Sequence, residues 1–238
     1  MGKQKEDNMS DIRVIDLGGS IVAPDKVDTA FLKEFRLFIE DWLEADSARK
    51  IIFIIGGGAP ARVYQNAFRE LSPQGESEVL DSIGIAATRL NAQFVKSLFG
   101  ELCADPVVTD PSSAISFTGR ILVAGGWKPG FSTDYVSVVL AENFQARIIY
   151  NLSNIVKVYT ADPKKDPDAV PLDHITWDKY KIMCGDKWIP GFNTPFDPVA
   201  TARASASDLK VIVAAGKDIP NLRKIFNGEP FIGTVMES

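Results

Sequence analysis

The chain has 238 residues, 45% hydrophobic and 24% charged, an ordinary globular balance long enough to bury a sizeable core. A net charge of −5, from 26 basic and 31 acidic residues, argues against a broad nucleic-acid-binding surface. The longest clear apolar run, Ile51–Ile55, is far too short to cross a bilayer.

The polar first ten residues read as a loose tail, not a signal peptide, and residues 11–238 as one domain. Short β-rich runs then alternate with longer helical patterns. Strands are expected at Ile12–Leu17, Ile51–Ile55, Val107–Thr109, Ile121–Ala124, Arg147–Asn151 and Lys210–Ala214. Helices are expected near Thr29–Ala45, Ser77–Phe99, Thr133–Asn143, Pro198–Ser205 and Ile219–Phe226. Strands apolar on both faces, separated by helices, predict an α/β fold: a mostly parallel central sheet between two helical layers. The proline-rich region Asp162–Pro195 reads as a hairpin, a mobile loop, or both. Cys103 and Cys184 lack metal-ligand spacing and read as reduced packing thiols, in keeping with a cytoplasmic protein. The single histidine, His174, reads as a loop residue without catalytic duty.

Three predicted strands run directly into glycine. They are Asp16-Leu17-Gly18-Gly19-Ser20, Ile55-Gly56-Gly57-Gly58-Ala59, and Ala124-Gly125-Gly126-Trp127-Lys128-Pro129-Gly130-Phe131-Ser132-Thr133-Asp134. Any one of them has a plain reading as a tight turn. Three at the carboxyl edge of a parallel sheet point to anion cradles, where bare backbone N–H groups and helix N-termini can face phosphate. The Gly-Lys-Ser/Thr ending of a P-loop is absent, and so is the spacing of a dinucleotide fingerprint.

These segments, in order and spacing, resemble the amino-acid kinase superfamily and, within it, uridylate kinases of the archaeal type. Further landmarks are Ala61-Arg62 with Tyr64, Asp81 with Gly84-Ile85, and Thr88-Arg89-Leu90-Asn91-Ala92. Asn154, Val158-Tyr159-Thr160-Ala161-Asp162-Pro163 and Asp197-Pro198-Val199-Ala200 complete the series. The resemblance covers nearly the whole chain from Ile12. It implies the three-layer αβα fold of that family and transfer of the ATP γ-phosphoryl group to UMP.

By the same resemblance, Gly19, Ser20, Gly58 and Arg62 hold ATP phosphates, and Ser153, Asn154, Tyr159 and Asp162 line the nucleoside part of that site. Gly57, Asp81 and the stretch Trp127, Lys128, Pro129, Gly130, Phe131, Ser132 and Thr133 hold UMP. Arg62, Lys128 and Asp134 serve the transfer itself. Magnesium arrives on the nucleotide, with no metal site of the protein's own, and a homo-oligomer, usually a hexamer, is implied. From the residues alone, Asp81 and Arg62 also read as surface helix residues and Asp134 as a helix cap. Ala59 stands where the archaeal-type branch commonly has a basic residue, and Val156-Lys157 replaces an Asp-Gly. Lys157 thus reads either as a compensating charge or as a solvated loop residue. The competing functions are another small acceptor (carbamate, an acyl carboxylate or a phosphonate) and non-catalytic nucleotide storage of the molybdenum storage type.

Overall fold

A computed structural model describes residues 11–185 and 194–238, so the expected tail lies outside the described residues. Nine strands and eight α-helices follow one another among these residues. They are β1 (Ile12–Leu17), α1 (Gly19–Val22), α2 (Thr29–Glu44), β2 (Lys50–Ile55), α3 (Gly58–Leu71), α4 (Ser77–Phe99), β3 (Ile121–Ala124), α5 (Thr133–Asn143) and β4 (Ile148–Ser153). The second half holds β5 (Val158–Tyr159), β6 (Pro171–Leu172), β7 (His174–Thr176), α6 (Trp177–Cys184), α7 (Pro198–Ala206), β8 (Lys210–Ala215), α8 (Ile219–Asn227) and β9 (Thr234–Glu237).

Seven strands form one sheet in the order β3-β2-β1-β4-β8-β9-β7, and β5 and β6 pair as a separate antiparallel ribbon. The five strands from β3 to β8 are parallel, and β9 runs antiparallel to β8. The alternation of side chains along each strand divides the core in two. Ile15, Leu17, Phe53 and Tyr150 pack with Phe35, Phe38 and Phe226 of α2 and α8 on one face. Val14, Ile52, Ile54 and Val213 pack with Val136, Ala200, Trp177 and Tyr180 of α5, α7 and α6 on the other. This is the three-layer arrangement expected from the buried, two-faced strands.

The structure changes several expectations. Val107–Thr109 is not a strand; it contributes one parallel bridge, from Val108 to Ala124. α3, not among the expected helices although Arg62 read as a helix residue, opens on the last of the three glycines. His174 opens the edge strand β7, with its Nε2 3.2 Å from Glu237. The region Asp162–Pro195 carries the second strand of the ribbon, β6, then β7 and α6, with residues 186–193 outside the described residues.

Candidate functional site

The chain builds β1, β2 and β3 on one side, then crosses to β4 and β8 on the other, so successive connections diverge between β1 and β4. A crevice at the carboxyl ends of the strands is the geometric consequence. Ser20 after β1, Ser153 and Asn154 at the end of β4, and Ala215 and Lys217 at the end of β8 line a cleft of about 570 Å³ there, with Arg62, Ile21 and Pro24. A second hollow, of about 160 Å³, is lined by Gln65 of α3, by Asp81, Gly84, Ile85 and Thr88 of α4, and by Gly126, Phe131, Ser132 and Thr133.

The glycines between the two hollows are required by contact. A Cβ on Gly19 would stand 2.0 Å from the Gly58 nitrogen, and one on Gly56 would stand 2.3 Å from the Gly19 nitrogen. Gly58 adopts φ +63°, which a side chain would resist. The turns after β1 and β2 are thus packed backbone against backbone, next to Ser20. On its other side the same turn approaches the second hollow: a Cβ on Gly57 would lie 3.5 Å from the Gly84 carbonyl and 3.6 Å from Thr88 Cγ2.

Helix α4 holds the turns in place. Asn91 donates from Nδ2 to the carbonyls of Gly56 and Gly57, at 2.8 and 3.0 Å. Thr88 Oγ1 accepts the Gly126 N–H at 2.7 Å. Arg89 donates to the carbonyls of Gly126 and Trp127, at 3.1 and 2.7 Å. One turn or more earlier, Asp81 Oδ2 accepts the N–H of Gly130 at 3.0 Å. Asp81 and Thr88 lie two helical turns apart on one face, with Arg89 next to Thr88, so one rigid element sets the loop after β3.

Of the residues singled out in the sequence, Ser20, Arg62, Ser153 and Asn154 come together in the larger cleft. Asp81, Phe131, Ser132 and Thr133 come together in the smaller one. Arg62 is exposed and donates to the Pro24 carbonyl at 2.7 Å. Lys128 lies over the ring of Trp127, 4.0 Å from its centroid, within an aromatic group of Trp127, Phe131 and Tyr135. Neither Lys128 nor Trp127, Pro129 and Gly130 lines either hollow. Tyr159 and Asp162 are likewise absent from both linings, and Asp162 accepts the Lys164 N–H at 3.0 Å. Lys157 is ion-paired with Asp173, away from the cleft lining. Of its two readings, the compensating charge is therefore not the one the geometry favours.

Asp134, in the first turn of α5 and next to Thr133 of the smaller hollow, belongs to a polar cluster. Its Oδ2 accepts the Asp197 N–H at 2.8 Å, and its Oδ1 is 3.4 Å from Asn151 Nδ2. Asp197 itself caps α7 through the N–H groups of Val199 and Ala200. Asp16 of β1 is its acidic neighbour. Burial pushes the Asp16 carboxyl well above the usual carboxylate range, and the charge of Asp134 adds to the effect. Burial likewise pushes Asp134 up, to about 7, with the Asp197 amide opposing the shift.

Lys217 escaped the sequence reading. Its signal was present: Ala215-Gly216-Lys217 is a fourth strand-to-glycine turn. Lys217 pairs with Asp28, the cap of α2, and that hydrogen bond holds the Asp28 carboxyl below its ordinary range. Thr88, Arg89 and Asn91 stand in the sequence as a motif without a role, because their partners lie far away in the chain.

A family model for the amino acid kinase family matches residues 11–215. A uridylate kinase of Thermoplasma acidophilum is 34% identical over 232 residues, spanning 96% of this chain and 98% of the relative. A uridylate kinase of Methanobrevibacter smithii is 35% identical over 224 residues, spanning 93% and 96%. The crystal structure of uridylate kinase from Archaeoglobus fulgidus superposes with a TM-score of 0.78 at 33% identity, covering 94% of this chain and 99% of that one.

Proposed function

Because the chain belongs to the amino acid kinase family, we propose that it transfers the γ-phosphoryl group of ATP to UMP, giving ADP and UDP. The observation that carries this reading is the pair of hollows on one sheet edge, meeting at the Gly56–Gly58 turn. The larger has room for a nucleoside triphosphate and offers Arg62 and Lys217 to its phosphates. The smaller takes the acceptor. The uridylate kinase relatives supply the identity of that acceptor.

The chemistry needs no side-chain base. A phosphate monoester has a second pKa of about 6, so the acceptor oxygen already carries its negative charge at neutral pH. What remains is to align two anions and to stabilise charge spreading over the transferring group. In this reading the amides of Gly19, Ser20 and Gly58, with Arg62, hold the donor phosphates, and Ser153, Asn154, Tyr159 and Asp162 face its nucleoside part. Gly57, Asp81 and the loop Trp127–Thr133 hold UMP, with Lys128 leaving the Trp127 ring to reach the phosphates. Magnesium carried by ATP neutralises charge on the phosphates, and Asp134 is a hard oxygen donor suited to hold it. Residues 11–238 act as one kinase domain in the cytoplasm. A homo-oligomer, a hexamer by analogy with the family, is supported by the exposed apolar side chains Val63, Tyr64 and Leu71 on α3 and Leu90 on α4.

The test is ADP release by the purified chain with Mg·ATP and, separately, UMP, CMP, dUMP, carbamate and aspartate. Turnover is expected with UMP and far less with the others. Faster turnover with carbamate or aspartate, or none with UMP, would remove the reading.

A further inference from the structure

α4 fastens one side of the loop after β3, through Asp81, Thr88 and Arg89. The other side is a group of packed rings. The Phe131 ring centroid lies 4.9 Å from that of Trp127 and 4.6 Å from that of Tyr135. Trp127 and Tyr135 are 6.4 Å apart and parallel within 6°. Ring pairs accept centroid distances of about 4.5–7 Å, so packing alone leaves such a group loose, and a directed bond fixes it.

Tyr135 brings a directed bond to the group. Its hydroxyl accepts from Nη1 of Arg203 at 2.6 Å, and the guanidinium also lies 5.2 Å from the Tyr135 ring centroid. Arg203 belongs to the last turn of α7 and is itself held in place. Its Nε and Nη2 donate to Glu142 at 2.6 to 3.1 Å, reaching both carboxylate oxygens, and Ser207 Oγ donates to the same carboxylate. Tyr135 and Glu142 are seven residues apart in α5, two helical turns, so they share the face that meets Arg203. A planar fork bonded to both has one orientation, which a lysine could not reproduce. The Arg203 and Glu142 side chains are 38% and 23% exposed, so water only partly competes for these bonds.

Neither Tyr135 nor Arg203 lines either hollow. Phe131 lines the smaller one, and so does Ser132, whose Oγ caps α5 by accepting the Tyr135 N–H at 3.2 Å. A displacement of Tyr135 therefore reaches that hollow by two routes, the ring of Phe131 and the cap at Ser132.

We propose that Arg203 and Tyr135 are positioning residues for the acceptor: they hold the loop after β3, through Phe131 and Ser132, in the shape that receives the acceptor nucleotide. The inference rests on the reading of the smaller hollow as the acceptor site. It adds an anchor from α7 to the one from α4.

The test is initial rates with UMP and Mg·ATP both varied, alongside thermal melts, for wild type, Tyr135→Phe, Arg203→Met and the double variant. Tyr135→Phe keeps the ring and removes only the hydroxyl. It is expected to raise KM for UMP about three- to tenfold, the effect of one lost hydrogen bond, with kcat and KM for ATP within about twofold. Arg203→Met should raise KM for UMP at least as much. The double variant should do no worse than Arg203→Met alone, because the arginine acts through the hydroxyl. Arg203→Lys, which keeps the charge but loses the fork, should also raise KM for UMP and replaces Arg203→Met should that variant not fold. An unchanged KM for UMP in Tyr135→Phe overturns the inference, whether or not the melting midpoint falls, since a merely structural link between α5 and α7 would give that result. Equal rises in both KM values, or effects that multiply in the double variant, overturn it too. A wild-type chain without turnover on UMP refutes the acceptor reading, and this inference with it; an active wild type with unmoved variants refutes this inference alone.

Discussion

Replacing Thr88 by valine isolates the part that α4 plays in shaping the acceptor hollow. The change keeps the side chain's shape, including the Cγ2 that faces Gly57, and removes only the hydroxyl. That hydroxyl accepts the Gly126 N–H at 2.7 Å and donates to the Ile85 carbonyl at 2.6 Å. Thr88 is 8% exposed, so the Gly126 N–H loses its partner in a place that water scarcely reaches. An unsatisfied buried donor costs about 1–3 kcal/mol. For a chain of this length each kcal/mol lowers the melting midpoint by roughly 2–4 °C. The same loss, if expressed wholly in acceptor binding, would raise KM for UMP by about 5- to 150-fold. Arg89 and Asp81 still hold the loop, so the lower end of that range, about five- to tenfold, is expected. KM for ATP should not change, since Thr88 is not part of the larger cleft. Initial rates with both substrates varied, alongside thermal melts, read both quantities. A KM for ATP that rises in step with that for UMP would refute the separation of the two hollows. A lowered midpoint with unchanged KM for UMP would show that the loop after β3 takes its shape without α4.

Two further outcomes follow from the cradle itself. Gly19→Ala should abolish ATP binding and lower the melting midpoint, because its Cβ would meet backbone of Gly58 and Gly56 at 2.0 to 2.7 Å. Gly130→Ala, where nothing lies within 4 Å and only a φ of +86° resists, should cost about 1–2 kcal/mol and leave ATP binding intact; equal effects from the two would deny the backbone contact its importance. Arg62→Ala should lower kcat by about 10²- to 10³-fold with an unchanged melting midpoint, since Arg62 is exposed and donates only to Pro24. Unaltered kinetics would take Arg62 out of the site.

Legibility in the sequence followed the strength of local pattern. α4 and α5 were read with their observed limits, as were β1 and β3, because each carries a continuous run of apolar residues at one period. α3 was missed because it opens on Gly58-Ala59-Pro60, which reads as a continuation of the glycine turn. Val63, Tyr64, Ala67, Phe68 and Leu71 recur at helical spacing behind that opening. Packing against α4 adds to this local pattern. The edge strand β7 and its neighbour β9, of three and four residues, are too short for an alternating pattern, and each exists by pairing with a distant partner. Val107–Thr109 had the composition of a strand but obtained only one bridge.

By itself, the order of residues determined the alternation of strand and helix, the glycine turns along one edge, and the kind of ligand they suit. These depend on periodicity and backbone freedom, which are properties of neighbours in the chain. Only the tertiary structure decided that the turns after β1 and β2 touch, that Asp81, Thr88, Arg89 and Asn91 fasten the turns after β2 and β3, that Lys217 enters the larger cleft, and that Asp16 is buried against Asp134. Spacing along a helix or strand settles which side chains share a face. What that face meets is set by how the layers pack, through contacts between residues far apart in the chain.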